Sequence, residues 1–390
     1  MNVPNEYYRY IRPITIVCKI IAIWPLEKKT GDSQSSFHLA KLSRVIHRII
    51  LFVSVTVCTI AAAVDIFKNL SDMAEATECA LVTSSCLICC LRIAIFTIHQ
   101  KNLTILINIM KIDWLTSSNE DRNLLNEKCS FTFHLAHRFI ITVFITIGFF
   151  MTVPPFEIIF LGSEDRVLPF RGYYFKNQTT HYLFPYIYAF NILSGAFLGG
   201  SAIAAATTLN LILVMHAAAK FSLVRKCLET LDQKQKNFLA ISIDCIKKHQ
   251  EAIDFANRLE DTINILAFGQ FLVSSGIVCI AGFQIVAMKE DRGRLMKYIS
   301  FLLSATFGLF LFSYSGDVLI TESEDVGNSC FNSDWVGAND KYKRNIKILM
   351  IRSTKPCKIT AGKFYDMSLQ SFSNLLSTSF SYFTVLSNYN

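Results

Sequence analysis

The feature that most constrains this chain of 390 residues is a series of seven long apolar stretches. Each provides about the 20 residues that a helix needs to cross the hydrocarbon core of a bilayer, and the fourth is too long to end at the membrane, so its helix is expected to continue into the cytoplasm. Inside hydrocarbon every backbone N–H and C=O must be satisfied within the segment, so each stretch reads as a helix. The expected spans are 49–66, 79–98, 139–160, 182–215, 262–288, 298–316 and 367–388. Their content is 52% hydrophobic and 17% charged residues over the whole chain, with mean hydropathy +0.37, which water alone would not keep dispersed. The fold class is therefore an all-α membrane protein with seven transmembrane helices, read as one domain over 1–390. The net charge of +8 could suggest nucleic acid, but the basic residues cluster between the spans, as in cytoplasmic loops, so no nucleic-acid partner is expected.

Lysine and arginine set the orientation. Of the 38, 29 fall in segments that share a side with the amino terminus, 8 fall in the alternate loops, and Arg92 lies inside the second span. The positive-inside rule places the amino terminus in the cytoplasm and, after seven spans, the carboxyl terminus outside. That is opposite to a G-protein-coupled receptor, and neither an Asp-Arg-Tyr after span three nor an Asn-Pro-x-x-Tyr in span seven is present. Internal repeats and paired broken helices, expected of a secondary transporter, are also missing from the sequence. The Asn177-Gln178-Thr179 sequon falls in the longest outer loop and is the expected glycosylation site. Asn69 is outside but close to the membrane, and Asn102 falls inside. Residues 1–26 carry Arg9, Arg12 and Lys19 with no small-residue cleavage site, so they read as an amphipathic helix lying on the membrane rather than a signal peptide.

Catalytic and metal motifs are absent from the sequence. Cys86, Cys89 and Cys90 have zinc-like spacing but sit in the apolar run of span two, where they serve as small packing residues. Cys79 is the one cysteine near an outer loop, which leaves an outer disulfide without a partner. His134 and His137 lack the Glu of a metalloprotease helix, and no phosphate loop or nucleophile elbow occurs. No enzyme activity, metal or cofactor is expected.

Four features point to ligand and ion handling. Arg92, about two turns from the inner end of its span, is expected to snorkel to the headgroups; Glu157, after Pro154-Pro155, is expected to reach interfacial water or, alternatively, to serve a pocket. Gly195 and Gly199, with Ala196, Gly200 and Ala204 beside them, form a stripe that lets another backbone approach. Tyr186 and Phe190 belong to an aromatic belt or, turned inward with Phe149, Phe150 and Phe156, line a cavity for a small apolar molecule held with few hydrogen bonds. In 370–390, 12 of 21 residues are Ser, Thr, Asn or Gln and none is charged, too polar for a helix facing lipid. Ser371, Asn374, Thr378, Ser381, Val385 and Asn388 share one stripe, with Val385 alone apolar, while Phe372, Leu376, Phe383 and Leu386 lie opposite. Such a helix lines a pore if several subunits bring their copies around an axis; otherwise it is a polar helix buried among its neighbours.

Lys355-Pro356, Thr360-Ala361-Gly362-Lys363-Phe364, Ser368-Leu369, Phe372 and Ser381-Tyr382-Phe383-Thr384-Val385-Leu386 resemble the carboxyl-terminal signature of insect odorant receptors. Gly316-Asp317-Val318-Leu319, Ser323, Val326 and Trp335 resemble the segment after that family's sixth span, and Trp24-Pro25, His216 and His249-Gln250-Glu251 match looser patterns. The resemblance implies an olfactory receptor of the plasma membrane of a sensory-neuron dendrite. It implies a ligand-gated, non-selective cation channel, a hetero-tetramer with the shared olfactory co-receptor, opened by an apolar volatile odorant. By the same resemblance Val385 sits at the hydrophobic gate, Asn388 and Tyr389 fall where the co-receptor has Gln and Leu, and Ser381 and Thr378 line the pore. The co-receptor is longer in its second cytoplasmic loop, so this chain resembles the ligand-tuning subunit. The related gustatory receptors end in a different motif, of which Ser381-Tyr382 is half.

Overall fold

The computed structural model describes residues 5–26, 33–160, 167–174, 182–231, 238–288 and 292–388. The helices are α1 (Asn5–Ile20), α2 (Gln34–Lys68), α3 (Met73–Ile98), α4 (Gln100–Thr116) and α5 (Asn119–Phe160). Next come α6 (Phe184–Asn191), a π-helical segment (Ile192–Gly199) and α7 (Gly200–Glu229), which together form one continuous rod. The chain then runs through α8 (Phe238–Ala287), α9 (Arg292–Asn332) and α10 (Asp340–Ser353) to a two-stranded hairpin, β1 (Thr360–Ala361) and β2 (Tyr365–Asp366), and α11 (Leu369–Asn388).

Each of the seven expected spans lies in helical structure apart from a residue or two at its ends, and six described helices are long and apolar enough to cross a membrane. α11 is not among them. Its Ser, Thr, Asn and Gln content lowers the hydropathy, as the sequence implies. Local caps fix several starts. Asp72 accepts from the Ala74 and Glu75 amides at 3.0 and 3.2 Å, and Asn339 accepts from the Lys341 amide at 3.0 Å.

Most helices outrun their apolar stretches. The polar extensions of α5, α7, α8 and α9 pack together with α4 and α10 at the end of the bundle that holds Asp113. Here α4 and α10 lacked a long apolar run and were not foreseen. Asp113 on α4 accepts from His216 and Lys220 of α7, both at 2.8 Å. Burial alone would raise the Asp113 carboxyl, but the hydrogen bond from His216 and the neighbouring charges outweigh it and hold it below its ordinary value. Glu322 on α9 accepts from Lys128 of α5 and Arg225 of α7 at 2.8 and 2.9 Å. It too is held low against burial.

The structure corrects two expectations. First, α1 is helical but does not keep its apolar stripe for lipid. Tyr7, Ile11, Ile14 and Cys18 are buried against the chain's own α7 and α5, because their spacing of 4, 3 and 4 presents one seam to α7. Second, Gly195 and Gly200 do not admit a backbone. A Cβ on Gly195 would meet the Phe170 ring at 2.8 Å, and one on Gly200 would meet the Ile147 side chain at 2.1 Å. Cys227 of α7 and Cys245 of α8 stand within disulfide reach, Cα atoms 6.2 Å apart, at the end opposite Cys79, which is free.

The close backbone approach occurs instead at Gly316 on α9, where a Cβ would lie 2.1 Å from the Met367 carbonyl oxygen. Next to it, Asp317 accepts from the Leu369 amide at 3.2 Å and caps α11. The hairpin makes the other half of this hook. Gly362 and Lys363 both take positive φ, 61° and 68°, and the Gly362 amide donates to the Asn264 carbonyl of α8 at 3.0 Å. Buried Glu260 accepts from Thr360 at 2.5 Å and pairs with Lys363, which holds a non-glycine residue in that conformation. The signature residues are thus the parts that fasten α11 to α8 and α9.

Candidate ligand cavity and pore helix

A cavity of about 120 Å³ opens between α3, α5, the π-helical segment, α7, α8 and α9. Its walls are mainly apolar, with Val82, Val143, Ile147, Phe150 and Ile277 among them. The π-helical turn sits where the rod passes the cavity, and π-helical turns inside α-helices recur at functional sites. Gly195, Gly199 and Gly200 line that wall, and the space their missing side chains leave is taken in part by Phe170 and Ile147.

Phe170 comes from the short described segment 167–174 and closes one end of the cavity. Its ring stacks on Phe150 with centroids 5.1 Å apart and planes at 16°. Asn191, fully buried at the start of the π-helical segment, fixes this closure. Its Oδ1 accepts from the Phe170 amide at 2.9 Å, and its Nδ2 donates to the Phe170 carbonyl at 3.1 Å. Beside it, Arg171 reaches Asp65 at 3.4 Å, Glu78 at 3.9 Å and also Glu75, so three carboxylates latch the segment to α2 and α3. Glu78, which lines the cavity, accepts from buried Lys297 at 2.5 Å, and the Lys297 ammonium lies 4.7 Å from the Phe150 ring centroid.

At the other end is Arg92, and here the structure corrects the snorkelling expectation. The residue is 2% exposed and lines the cavity. Its Nη1 donates to the Ile203 carbonyl at 2.8 Å and its Nη2 to Gln270 Oε1, while Gln270 Nε2 donates to Ser274 at 2.7 Å. Acceptors are available inside, so the guanidinium has no need to reach the headgroups.

Of the five aromatic residues expected around a ligand, Phe150 lines the cavity. Phe149 is half-buried on a neighbouring face of α5, since successive helical residues point about 100° apart. Tyr186 is 72% exposed, which fits the belt alternative, and Phe156 is 53% exposed and does not line the cavity. Phe190 is half-buried and meets Tyr174 edge-on at 6.3 Å rather than the cavity. The lining residues missed in the sequence include Val143, Ile147 and Tyr298, which look like ordinary core positions. Arg92 and the glycine stripe were the available signals. Cys86 and Cys89 do stand in packing positions on the cavity wall. His134 bonds the Ser130 carbonyl at 2.6 Å, and His137 stacks on Phe133. Asn177 and the side chain of Glu157 lie outside the described residues, whereas Asn102 is on α4.

α11 packs on α8 and α9 and is otherwise at the edge of the bundle. Leu375 and Ser379 are buried, and Ser379 donates to the Ser275 carbonyl at 3.3 Å. Asn374, Thr378 and Ser381 are exposed along the other side. Val385 and Asn388 fall in the last turns of the helix; their side chains, and Tyr389 altogether, lie outside the described residues.

The sequence model of the 7tm Odorant receptor family matches residues 72–380, and the chain belongs to that family. Odorant receptor 13a of Drosophila melanogaster is 25% identical over 94% of this chain and 93% of its own length. Odorant receptor 9a of the same species is 29% identical over 36% of each chain. Among solved structures, the olfactory receptor OR5 of Machilis hrabei in complex with eugenol superposes with a TM-score of 0.81 at 15% identity, covering 99% of this chain and all of that one. A second structure of the same receptor gives 0.78. The fold is therefore that of an insect olfactory receptor, and the protein is a multi-pass membrane protein of a non-enzymatic receptor family.

Proposed function

We propose that this chain is the odorant-binding subunit of a ligand-gated, non-selective cation channel, assembled with the olfactory co-receptor in the plasma membrane. The cavity beside the π-helical segment takes a small, largely apolar odorant, as the eugenol complex of the Machilis receptor suggests by likeness. Phe150 contributes to that site, with Phe149, Phe156, Tyr186 and Phe190 in its surroundings or at the membrane interface. The distribution of basic residues supports a cytoplasmic amino terminus and an outer carboxyl terminus, with Asn177 outside. Residues 1–390 act as one receptor domain, located in the dendrite of an olfactory neuron.

The observation that carries the channel reading is the polar side of α11. A helix at the edge of the bundle exposes Asn374, Thr378 and Ser381, which lipid would penalise and which water between subunits would solvate. On that line Thr378 and Ser381 face the pore, Val385 forms an apolar constriction that closes by dewetting, and Asn388 and Tyr389 stand at its mouth. Co-expression with the co-receptor and recording of basal current per channel at the surface tests this. Val385→Ser is expected to raise current without odorant, whereas Leu376→Ser, on the opposite side, impairs packing instead. Equal basal current and unchanged ion selectivity for Val385→Ser and wild type would remove Val385 from the gate.

A further inference from the structure

We propose that the cavity selects a small molecule with an apolar body and a carboxylate head, and that Arg92 holds the carboxylate. The inference rests on the cavity being the ligand site, and it replaces a wholly uncharged ligand with one carrying a single anionic group.

Arg92 is buried, and both protein acceptors on it, the Ile203 carbonyl and Gln270 Oε1, are neutral. Its Nε has no hydrogen-bond partner among the described residues. A guanidinium has five N–H donors in a rigid fork that matches a carboxylate, and a buried charge without a counter-ion is costly. Two other buried cations have a carboxylate: Lys297 has Glu78 at 2.5 Å and Lys220 has Asp113 at 2.8 Å. Buried Arg48 is also held by neutral acceptors, Gln100 Oε1 at 3.0 Å among them, but it does not line the cavity. Arg92 makes no ion pair among the described residues. Glu78, also on the cavity wall, is fourteen positions away on α3, which is about 21 Å along a helix and too far to compensate it. Among the described residues, Arg92 is therefore a cation on the cavity wall without a counter-ion.

Shape agrees with charge. At about 120 Å³ the space is somewhat smaller than the roughly 150 Å³ cavity that accommodates benzene, so the ligand has on the order of six heavy atoms. Val143, Ile147 and Ile277 would flank its alkyl part. Butanoate fits this description, and methyl propanoate, an isomer of butanoic acid, has the same heavy atoms without the negative charge.

The test uses the purified full-length chain in detergent, with ligand affinity read from the concentration dependence of the thermal midpoint at neutral pH. Wild type is expected to bind butanoate at least about tenfold more tightly than methyl propanoate, as for a close buried charge pair. Arg92→Met should abolish or invert that order, and Arg92→Lys should keep part of it. The wild-type comparison needs no variant, so misfolding of Arg92→Met leaves a decisive result. Equal or tighter binding of the ester, or binding of neither isomer, overturns the proposal. So does a preference that survives in Arg92→Met but disappears in Lys297→Met, which would place the carboxylate at the other end. Currents with the co-receptor are a separate readout. Butanoate binding without any odorant-evoked current would reject the channel reading and leave this inference standing.

Discussion

α7 and α11 are both rich in small and polar residues, yet the chain treats them in opposite ways. In the rod from Phe184 to Glu229, 78% of the most apolar window is buried, against no more than 56% in any other span. Ala202, Ala204, Ala205 and Ala206 are fully enclosed, and so are Thr207, Thr208 and Asn210. α7 touches α1, α5, α8 and α9 at once. α11 rests on two helices and leaves a polar side open. The difference teaches that polarity in a membrane helix has no single meaning. On α7 small polar residues allow close packing that one chain completes alone; on α11 they mark a surface that the single chain leaves unfinished.

The largest way to break this comparison is to overfill α7. Ala205 is 0% exposed, so Ala205→Leu forces three extra carbons into a closed site and should cost about 3 kcal/mol or more. Surface-delivered, monodisperse receptor should fall sharply. The same enlargement at exposed Ser381 should leave the amount of folded chain close to wild type. If Ala205→Leu expresses normally, α7 is not the completed core described above.

Acid offers a slightly smaller effect. His249 on α8 packs edge-on against Phe221 of α7 at 5.9 Å, and burial followed by the charge of Arg352 pushes its pKa down to about 4. Its unfolded value is near 6.5, so between these values the unfolded chain takes up a proton that the folded chain refuses. Its contribution is full above pH 6.5 and lost as pH falls toward 4, up to about 3 kcal/mol. In detergent the thermal midpoint should drop across that window, and His249→Gln should flatten the drop. Asp113 and Glu322 have depressed values, so their contributions persist through this window and vanish at lower pH still. An unchanged slope in His249→Gln would show that another group controls acid sensitivity.

The contrast was only half visible in the sequence. All seven spans and the polar stripe of α11 follow from hydropathy and helical spacing, which depend on local composition. Which helix is central does not, because Ala, Thr and Gly on α7 look alike whether they face lipid or protein. Arg92 shows the same gap: its charge marked it, but snorkelling was expected because the acceptors on Ile203 and Gln270 come from segments over a hundred residues away. Phe150 and Phe149 are adjacent in sequence, and one α-helical step separates cavity from flank. The π-helical segment carries no sequence mark of its own beyond the glycine stripe. By contrast, the Gly316 and Gly362 positions were recognised as signature residues, and their physical role as fasteners of α11 emerged from the fold.

A buried hydroxyl on α7 sharpens the comparison at the level of about 1 kcal/mol. Thr207 is 0% exposed and its Oγ1 has no hydrogen-bond partner. Thr207→Val preserves the shape and removes the unsatisfied group, so it should leave stability unchanged or raise it by about 1 kcal/mol. Thr378→Val on exposed α11 should leave the thermal midpoint within the error of wild type and alter conduction in the co-receptor complex. A Thr207→Val receptor less stable than wild type by more than about 1 kcal/mol would mean that the hydroxyl is engaged and α7 less dry than its packing indicates.

The smallest expected effect concerns the Cys227–Cys245 link between α7 and α8. A cross-link of 18 residues' separation restricts the unfolded chain by about 3 kcal/mol when oxidised. On the proposed orientation, which the distribution of basic residues supports, this end of the bundle is cytoplasmic, where thiols are kept reduced. Two cysteines can stand close enough to bond and still be thiols there, with α7 held by packing and by the Asp113 and Glu322 ion pairs instead. Cys227→Ser should therefore change stability in intact cells by less than about 0.5 kcal/mol, comparable to a surface substitution. Alkylation of intact cells with a membrane-permeant maleimide, followed by peptide mass analysis, should find Cys227 modified. Blocked cysteines, together with a loss of about 3 kcal/mol in Cys227→Ser, would place this end in an oxidising compartment and reverse the orientation. It would also show that α7 owes part of its closure to a covalent bond.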